Sequence, residues 1–303
     1  MGMLDGKVAL VTGAGRGIGR DIALAMAAHG AKVVVNDLGT ALDGSGTDTG
    51  PAAEVVREIG AAGGEAIANT DSVSDWDSAH NMVDTAIRHF GQLDVVVNNA
   101  GIVRDRIFHK MSVEEWKAVV DVHLNGSFYV SRAAAPHFKA RNGGRYVFMT
   151  SASALVGNFG QANYAAAKLG AVALAKSVAL DMARYGVTAN AVCPFAWSRL
   201  IGSIPADTPQ EQARVEKIKT METAKIAPMI VYLGSDAASD VTGQIFAVRA
   251  NELFLISQNR PLRSVQRSEG WTPEAIAEHA IPAMRSGFYA LDRSADVFSW
   301  DPI

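Results

Sequence analysis

The sequence predicts an α/β fold, a doubly wound parallel sheet of about seven strands followed by a C-terminal extension. Short apolar, β-branched segments alternate along the 303 residues with longer segments of helical spacing. The strand segments are apolar nearly throughout, as in strands that helices cover on both faces. A chain of this length buries a full core. We therefore predict a single domain at residues 1–250 and an extension at residues 251–303.

Each predicted element follows from its own pattern. The first strand, residues 7–11, is apolar and β-branched, and the first helix, residues 17–29, carries Ile18, Ile22, Ala25 and Met26 on one side. The same alternation predicts further strands at residues 31–35, 65–68, 93–97, 144–150, 188–192 and 244–248. It predicts further helices at residues 52–59, 75–90, 113–140, 161–185 and 227–233. Residues 39–51, rich in Gly, Asp, Ser and Thr, are expected to form a mobile surface loop.

Composition argues against several classes of protein. With 28 Lys+Arg against 31 Asp+Glu, the net charge of −3 offers no general attraction to phosphate backbones, so no nucleic-acid partner is expected. The single cysteine, Cys193, argues against a disulfide framework, and we expect a small buried apolar residue there and no metal site. No apolar run approaches the ~20 residues that cross a bilayer, and neither end resembles a targeting signal. We expect a cytoplasmic protein.

The Gly-rich turn between the first strand and the first helix predicts a dinucleotide site. Glycines there let the backbone approach a pyrophosphate, and the start of the following helix directs N–H groups at it. The alternative is a tight strand–helix turn that binds nothing. The residues expected to contact the cofactor here are Gly13, Gly15, Arg16, Gly17, Ile18 and Gly19.

Further motifs follow in an order that identifies a family. The string Asn-Asn-Ala-Gly at residues 98–101 ends the fourth predicted strand, Ser151 follows the fifth, and Tyr164 begins a Tyr-x-x-x-Lys motif that ends at Lys168. With the Gly-x-x-x-Gly-x-Gly spacing of residues 13–19, these motifs resemble the short-chain dehydrogenases/reductases. The resemblance implies a Rossmann-like fold and an NAD(P)-dependent enzyme that interconverts a secondary alcohol and a ketone by hydride transfer.

The catalytic residues that this resemblance implies are Ser151, Tyr164 and Lys168. Tyr164 and Lys168 are four residues apart and share one face of a helix. The pKa of free tyrosine, ~10, is too high for a base at neutral pH. We expect the pKa of Tyr164 to be lower, because the positive charges of the Lys168 ammonium and of the nicotinamide ring favour the phenolate. Tyr164 would then take the alcohol proton, or donate it in reduction, and Ser151 would hydrogen-bond the reacting oxygen.

The resemblance also implies cofactor contacts after other strands, and two positions depart from the family pattern. His123 stands where most members have Asn in a water chain to the lysine; it is either a catalytic relay, since neutral His both donates and accepts, or a buried His satisfied by backbone groups. Phe195 replaces the usual Gly after Pro194. Phe195 and Trp197 either shape an apolar substrate pocket or cover the nicotinamide, or they are packing residues. The implied contacts are Ser72, Val73, Asn99, Ala100, Gly101, Tyr164, Lys168, Pro194, Ala196, Trp197 and Ser198.

Two residues compete over the choice of cofactor. Asp37, at the end of the second strand, would accept hydrogen bonds from the adenosine ribose and repel a 2′-phosphate. Arg16 recurs in NADP-using relatives and could attract that phosphate. Residues 38–51 contain no Lys or Arg to offset the Asp37 charge. We expect NAD to be preferred to NADP.

Within the family, the strings at residues 33–39, 122–128 and 157–164 resemble the dehydrogenase part of peroxisomal multifunctional enzyme type 2 and its bacterial relatives. This resemblance covers nearly the whole chain. It implies a (3R)-hydroxyacyl-CoA substrate with a bulky or steroid-derived acyl group, and a homodimer or homotetramer. The alternatives are a 17β-hydroxysteroid dehydrogenase acting on free steroids, an NADPH-dependent 3-ketoacyl carrier-protein reductase, and a catalytically idle protein used for binding or assembly.

The C-terminal extension carries aromatic residues that are costly to leave in water, among them Trp271, Phe298 and Trp300. We expect it to cover a sheet edge or wrap a neighbouring subunit, with a helix at residues 272–284 as anchor. Its basic patch either meets CoA phosphates or is a solvated stretch. The patch consists of Arg260, Arg263 and Arg267.

Overall fold

The computed structural model describes residues 2–197 and 208–303. Its strands are β1 (Val8–Thr12), β2 (Lys32–Asn36), β3 (Ala66–Asn69), β4 (Val95–Asn98), β5 (Gly144–Met149), β6 (Val187–Phe195), β7 (Ile245–Arg249) and β8 (Glu252–Leu255). The α-helices are α1 (Gly17–Ala28), α2 (Gly50–Ala61), α3 (Trp76–Phe90), α4 (Val113–Val120), α5 (Gly126–Arg141), α6 (Ala152–Leu155), α7 (Ala162–Met182), α8 (Pro209–Lys219), α9 (Ala227–Gly234), α10 (Pro273–Ala275), α11 (Ile281–Met284) and α12 (Ser294–Val297).

The strands form one sheet in the order β3-β2-β1-β4-β5-β6-β7-β8. Strands β1 to β7 are parallel, which confirms the predicted doubly wound sheet, and the order reverses between β1 and β4. An eighth strand, β8, pairs antiparallel with β7 and lies in the segment predicted as a C-terminal extension. β8 thus forms the last strand of the sheet, next to β7, whereas a contact of the segment with a neighbouring subunit stays a prediction. Parallel sheets of this topology bind ligands outside the carboxyl ends of the strands, where the order reverses.

Two apolar layers cover the sheet, because alternate strand side chains face opposite sides. One layer packs α1, α2 and α9 against side chains such as Val11, Val33 and Val97. The other packs α3, α5 and α7 against their neighbours on the opposite face, such as Leu10 and Val96. This burial on both faces explains why the strands read as nearly continuous apolar runs.

The predicted helix at residues 113–140 contains a π-helical segment, Asp121–Asn125, between α4 and α5. Such a segment adds a residue to one turn and re-aims the side chains within it, and π-bulges are frequent at functional sites. His123 lies in this segment. In the described part of the chain, no helix is both long enough and apolar enough to span a bilayer.

Candidate active site

The structure brings the predicted site residues to one edge of the sheet. They lie where β1, β2, β3, β4, β5 and β6 end at their carboxyl termini, or in the helix that follows. Tyr164 and Lys168 come from α7, in the layer that also packs on β5 and β6. Ser198, which the sequence comparison assigned to the cofactor, lies outside the described residues.

The switch point between β1 and β4 is held together by Thr12 and Asn99. The Thr12 hydroxyl accepts hydrogen bonds from the backbone N–H groups of Asn99 (3.0 Å) and Ala100 (3.1 Å). The Asn99 amide donates back to the carbonyls of Thr12 (2.9 Å) and Gly13 (3.0 Å). A Cβ on Gly13 would lie 2.7 Å from the Ala100 Cα, so only glycine permits this approach. The side chain of Asn99 thus serves the turn itself.

The start of α1 fits a pyrophosphate. Its N-cap residue, Arg16, makes no side-chain cap, and the first turn contains no acidic residue, so no side chain competes for the leading N–H groups. A Cβ on Gly17, whose φ is +54°, would meet no atom within 4 Å, so the backbone there faces open space. The residues present therefore fit the dinucleotide that the motif predicts.

Two backbone N–H groups fix the carboxylate of Asp37, just after β2. One carboxylate oxygen accepts from the Gly15 N–H (2.7 Å) and the other from the Gly39 N–H (2.7 Å). A carboxylate has about four lone-pair sites, so acceptor capacity remains for two ribose hydroxyls. Arg16, its competitor in the choice of cofactor, has its guanidinium 3.5 Å from the carboxylate of Asp48, and both side chains are about half exposed. The Asp48 carboxylate thus offsets part of the positive charge of Arg16.

Asn163 fixes the start of the catalytic helix. This buried side chain donates to the carbonyls of Arg104 (3.0 Å) and Glu115 (3.1 Å), and its oxygen accepts the Tyr164 N–H (2.8 Å). These contacts tie the first turn of α7 to the segment after β4 and to α4. The orientation of Tyr164 therefore depends on three parts of the chain.

Ser151, Tyr164 and Lys168 meet next to the end of β5. The Ser151 hydroxyl caps α6 by accepting the Ser153 N–H (3.2 Å), and it lies near enough to the Tyr164 hydroxyl to lower the pKa of the phenol. Lys168 is 5 % exposed; its ammonium donates to the Met149 carbonyl (2.7 Å) and lies 5.8 Å from the centre of the Tyr164 ring. The three side chains thus form one contiguous polar group.

Burial decides the pKa values of this group. It raises the pKa of Tyr164 to about 12, although the hydrogen bond with Ser151 lowers it, and it lowers the pKa of Lys168 to about 8. The sequence argument expected the charges of Lys168 and of the nicotinamide ring to lower the pKa of Tyr164 together. In the chain by itself burial raises this pKa, and the combined effect of the two charges stays a prediction. The physical reason is that burial removes the hydration of the charged form, which raises the pKa of a phenol and lowers the pKa of an ammonium.

His123 lies beside Tyr164, with the ring centres 5.1 Å apart in an edge-to-face arrangement. The ring is 3 % exposed, and burial lowers its pKa to about 3, helped by the charge of Lys168. Nε2 is 2.7 Å from the Ile102 carbonyl oxygen and 3.1 Å from the Ile102 nitrogen, whereas Nδ1 has no hydrogen-bond partner among the described residues. A neutral imidazole satisfied by backbone on one side only is compatible with both alternatives stated above.

The end of β6 is packed by the C-terminal segment. The centre of the Phe195 ring lies 4.7 Å from the centre of the Phe298 ring. Outside that segment, the backbone N–H of Trp197 donates to the carbonyl of Met221 (2.6 Å). Cys193 is fully buried, as expected of a small apolar residue, and burial raises the pKa of its thiol to about 12. Packing is therefore the observed role of Phe195.

Sequence reasoning missed the contacts of Thr12 and Asn163, and it did not identify the partner of Phe298. Thr12 and Asn163 stand next to predicted motif residues, but nothing in a local pattern reveals bonds to residues 48 to 88 positions away. Phe298 lies 103 positions from its ring partner Phe195, and only the tertiary structure brings them together.

The comparisons with known proteins agree with this geometry. The family model for short chain dehydrogenases matches residues 7–198. A short chain dehydrogenase from Mycobacterium avium, known from its crystal structure, superposes with a TM-score of 0.81 at 41 % identity, covering 94 % of this chain and 96 % of the other.

Three relatives are similar over most of the chain. Hydroxyacyl-CoA dehydrogenase ChsB1 of Mycobacterium tuberculosis is 42 % identical over 84 % of this chain and 80 % of its own length. Peroxisomal multifunctional enzyme type 2 of Mus musculus is 41 % identical over 91 % of this chain, which spans only 36 % of that longer enzyme. A 3-oxoacyl-[acyl-carrier-protein] reductase of a Synechocystis strain is 40 % identical over 82 % of this chain and 97 % of its own length. The chain belongs to the short-chain dehydrogenase/reductase family and is an oxidoreductase that acts on CH–OH groups.

Proposed function

We propose that the protein oxidises a (3R)-hydroxyacyl-CoA to the 3-ketoacyl-CoA with NAD as hydride acceptor. The observation that carries this proposal is the meeting of Ser151, Tyr164 and Lys168 at the same sheet edge as the open Gly-rich turn and Asp37. An acid–base group and a dinucleotide site side by side are what hydride transfer from an alcohol requires.

In this mechanism the side chains of the protein transfer the proton of the substrate hydroxyl. Ser151 orients the substrate hydroxyl, and the phenol oxygen of Tyr164 takes its proton as the C–H hydrogen leaves with its electron pair. The bound cofactor supplies the hydride-accepting carbon and a positive charge near Tyr164. Lys168 adds its own charge, which favours the phenolate, and holds the cofactor ribose. Because burial sets the pKa of Tyr164 at about 12, both cationic groups are needed to make it a base near neutral pH.

The preference for NAD rests on Asp37 and Asp48. Asp37 keeps acceptor capacity for the ribose hydroxyls, and Asp48 pairs with Arg16, the cation that would otherwise favour a 2′-phosphate. The Asp37 carboxylate and the Arg16–Asp48 ion pair together carry one net negative charge, which disfavours the additional phosphate of NADP.

The substrate class is supported by the two relatives named for hydroxyacyl-CoA or multifunctional peroxisomal chemistry, which match 84 % and 91 % of the chain. Reduction of a 3-ketoacyl carrier protein is the second candidate function. It is favoured by the carrier-protein reductase, because the match spans 97 % of that enzyme's length. It predicts the opposite direction of reaction, so one set of assays separates the two.

The test is a panel of purified-enzyme assays that follow NADH or NADPH absorbance. The substrates are (3R)- and (3S)-hydroxydecanoyl-CoA and estradiol with either oxidised cofactor, and a 3-ketoacyl carrier protein with either reduced cofactor. We expect the highest kcat/KM for (3R)-hydroxydecanoyl-CoA with NAD⁺.

The Tyr164→Phe variant is the matched control, because it removes only the hydroxyl. We expect turnover to fall at least ~10²-fold while NADH binding, measured by fluorescence, is nearly unchanged. A higher kcat/KM with the ketoacyl carrier protein and NADPH would replace the proposal by the second candidate. A higher value with estradiol would assign a hydroxysteroid dehydrogenase, and unaltered turnover of Tyr164→Phe would remove Tyr164 from the mechanism.

A further inference from the structure

A buried arginine fastens the C-terminal segment to the sheet. Arg249, at the end of β7, is 3 % exposed, and its guanidinium donates to the backbone carbonyls of Phe298 (3.4 Å), Trp300 (2.9 Å) and Asp301 (3.2 Å). It also forms an ion pair with Glu252 (2.7 Å) and lies 4.6 Å from the centre of the Trp300 ring. A buried guanidinium is costly unless its donors are satisfied, so the segment is held in a defined position.

Glu252 in β8 binds both Arg249 and Trp300, and we call these three residues the clamp. Its carboxylate accepts the Arg249 Nε–H and the Trp300 indole N–H (2.7 Å). Burial raises the pKa of Glu252, but the hydrogen bonds from Arg249 and Trp300 outweigh it, so the pKa lies below its ordinary value. The carboxylate therefore stays charged at neutral pH and balances the guanidinium.

The clamp lies directly beside the site, because Arg249 pairs in register with Phe195 of β6. It places Phe298 in an apolar cluster with Phe195, Phe254, Cys193 and Ala152. The Phe298 ring is 4.7 Å from the Phe195 ring and 5.5 Å from the Phe254 ring. Ala152 follows Ser151 in the chain, so the cluster touches the residue next to the proposed catalytic serine.

A second contact holds the other end of the Ser151 turn. The N–H of Ser294, the first residue of α12, donates to the carbonyl of Gly157 (2.9 Å), shortly after α6. α12 and α6 also lie in contact. The segment at residues 294–301 therefore supports α6 along its length and reaches the end of β6.

We propose that Phe298 is a positioning residue of the active site in its own subunit, holding α6, and with it Ser151, against Phe195. This inference rests on the proposed function in that Ser151 must take part in catalysis. It assigns the C-terminal segment a part in the reaction rather than in sheet stability alone. A shift of about 1 Å in a catalytic group lowers rates by up to ~10²-fold, so loss of a packing residue here is measurable.

The test compares Phe298→Ala with Tyr289→Ala, an aromatic residue of the same extension that is 92 % exposed. Below the unfolding temperature of each variant, we expect Phe298→Ala to lower kcat/KM for (3R)-hydroxydecanoyl-CoA by about tenfold, with NADH binding within twofold of the wild type. Phe298→Leu, which retains most of the volume, should recover most of the loss and serves if Phe298→Ala does not fold. Equal kcat/KM in Phe298→Ala and Tyr289→Ala would overturn the proposal.

Amide hydrogen exchange gives a readout that does not depend on the substrate. In Phe298→Ala, and not in Tyr289→Ala, the amides of residues 152–157 should exchange at least about tenfold faster. Unchanged exchange would contradict the positioning role. A wild-type enzyme that oxidises no alcohol of the panel would overturn the proposed function and leave this measurement as the test of the contact.

Co-expression of Phe298→Ala chains with Tyr164→Phe chains tests whether Phe298 acts on its own subunit. If it does, every active site of a mixed oligomer carries one of the two substitutions. The activity of the mixed oligomer then does not exceed the average activity of the two single variants. Activity above that average would show that Phe298 completes a neighbouring site and would overturn the assignment to the same subunit.

Discussion

His123 leaves no room for a side chain at Gly101. A Cβ at Gly101 would lie 2.3 Å from Cε1 of His123 and 3.1 Å from each ring nitrogen, whereas carbon atoms in contact prefer ~3.5–4.0 Å. The imidazole would have to move by more than about 1 Å. It is buried, held by Ile102 and faces Tyr164, so it has no free direction in which to move.

We therefore expect Gly101→Ala to destabilise the protein. Overpacking of this kind costs ~1–3 kcal/mol, and the smaller conformational entropy of the unfolded chain returns ~0.4–1 kcal/mol, so the net loss is about 1–2 kcal/mol. For 303 residues the entropy of unfolding is about 0.6 kcal/mol per kelvin, which converts this loss to a decrease in Tm of about 2–3 °C. We also expect kcat to decrease, since the displaced His123 ring would press on the ring of Tyr164.

Calorimetry of the chain without cofactor is the assay, because Gly101 is also a predicted cofactor contact. Gly60→Ala is the matched control: it lies in α2, a Cβ there would meet nothing within 4 Å, and helix propensity should raise stability by about 0.5 kcal/mol. In the double variant Gly101→Ala/His123→Ala, the loss should be smaller than the sum of the single losses, since the clash is gone. A Gly101→Ala protein as stable as the Gly60→Ala control would refute this reasoning.

The remaining predictions concern three titratable residues. Asp37→Asn, which keeps an acceptor oxygen for Gly15 or Gly39, should narrow the ratio of kcat/KM with NAD⁺ to that with NADP⁺ by about tenfold; an unchanged ratio would contradict the role of its charge. His123→Asn should keep turnover within about tenfold of the wild type, whereas a loss as deep as that of Tyr164→Phe would give His123 a role of its own. Because burial lowers the pKa of Lys168 from 10.5 to about 8, the unfolded chain binds more protons between these values, and the stability contributed by Lys168 is present above pH 10.5 and lost as pH falls through 8. The unfolding free energy of the wild type, relative to Lys168→Met, should thus rise by about 2 kcal/mol from pH 7.5 to 9.5 in urea titrations; a flat difference would contradict the shift.

Tertiary packing also decided the direction of the pKa shift at Tyr164. From sequence, the spacing of Tyr164 and Lys168 shows that they share a helix face, which is a property of helix geometry. The degree of desolvation is not local, because it depends on every element that covers the site. In the structure burial is the largest influence on Tyr164 and raises its pKa above the ordinary value.

The sequence by itself determined the parallel sheet, the position of the Gly-rich turn at Gly13–Gly19 and the placing of Ser151, Asp37 and Tyr164 after strands that end at one edge. These follow from local periodicity and chain direction, which any window of the sequence contains. Only the tertiary structure decided that β8 extends the sheet. The strand has four residues, too few for a clear periodic pattern, and its pairing with β7 is what identifies it as a strand. It likewise decided the contacts of His123 with Gly101 and of Phe298 with Phe195, since packing pairs residues by shape across long separations that no local pattern records.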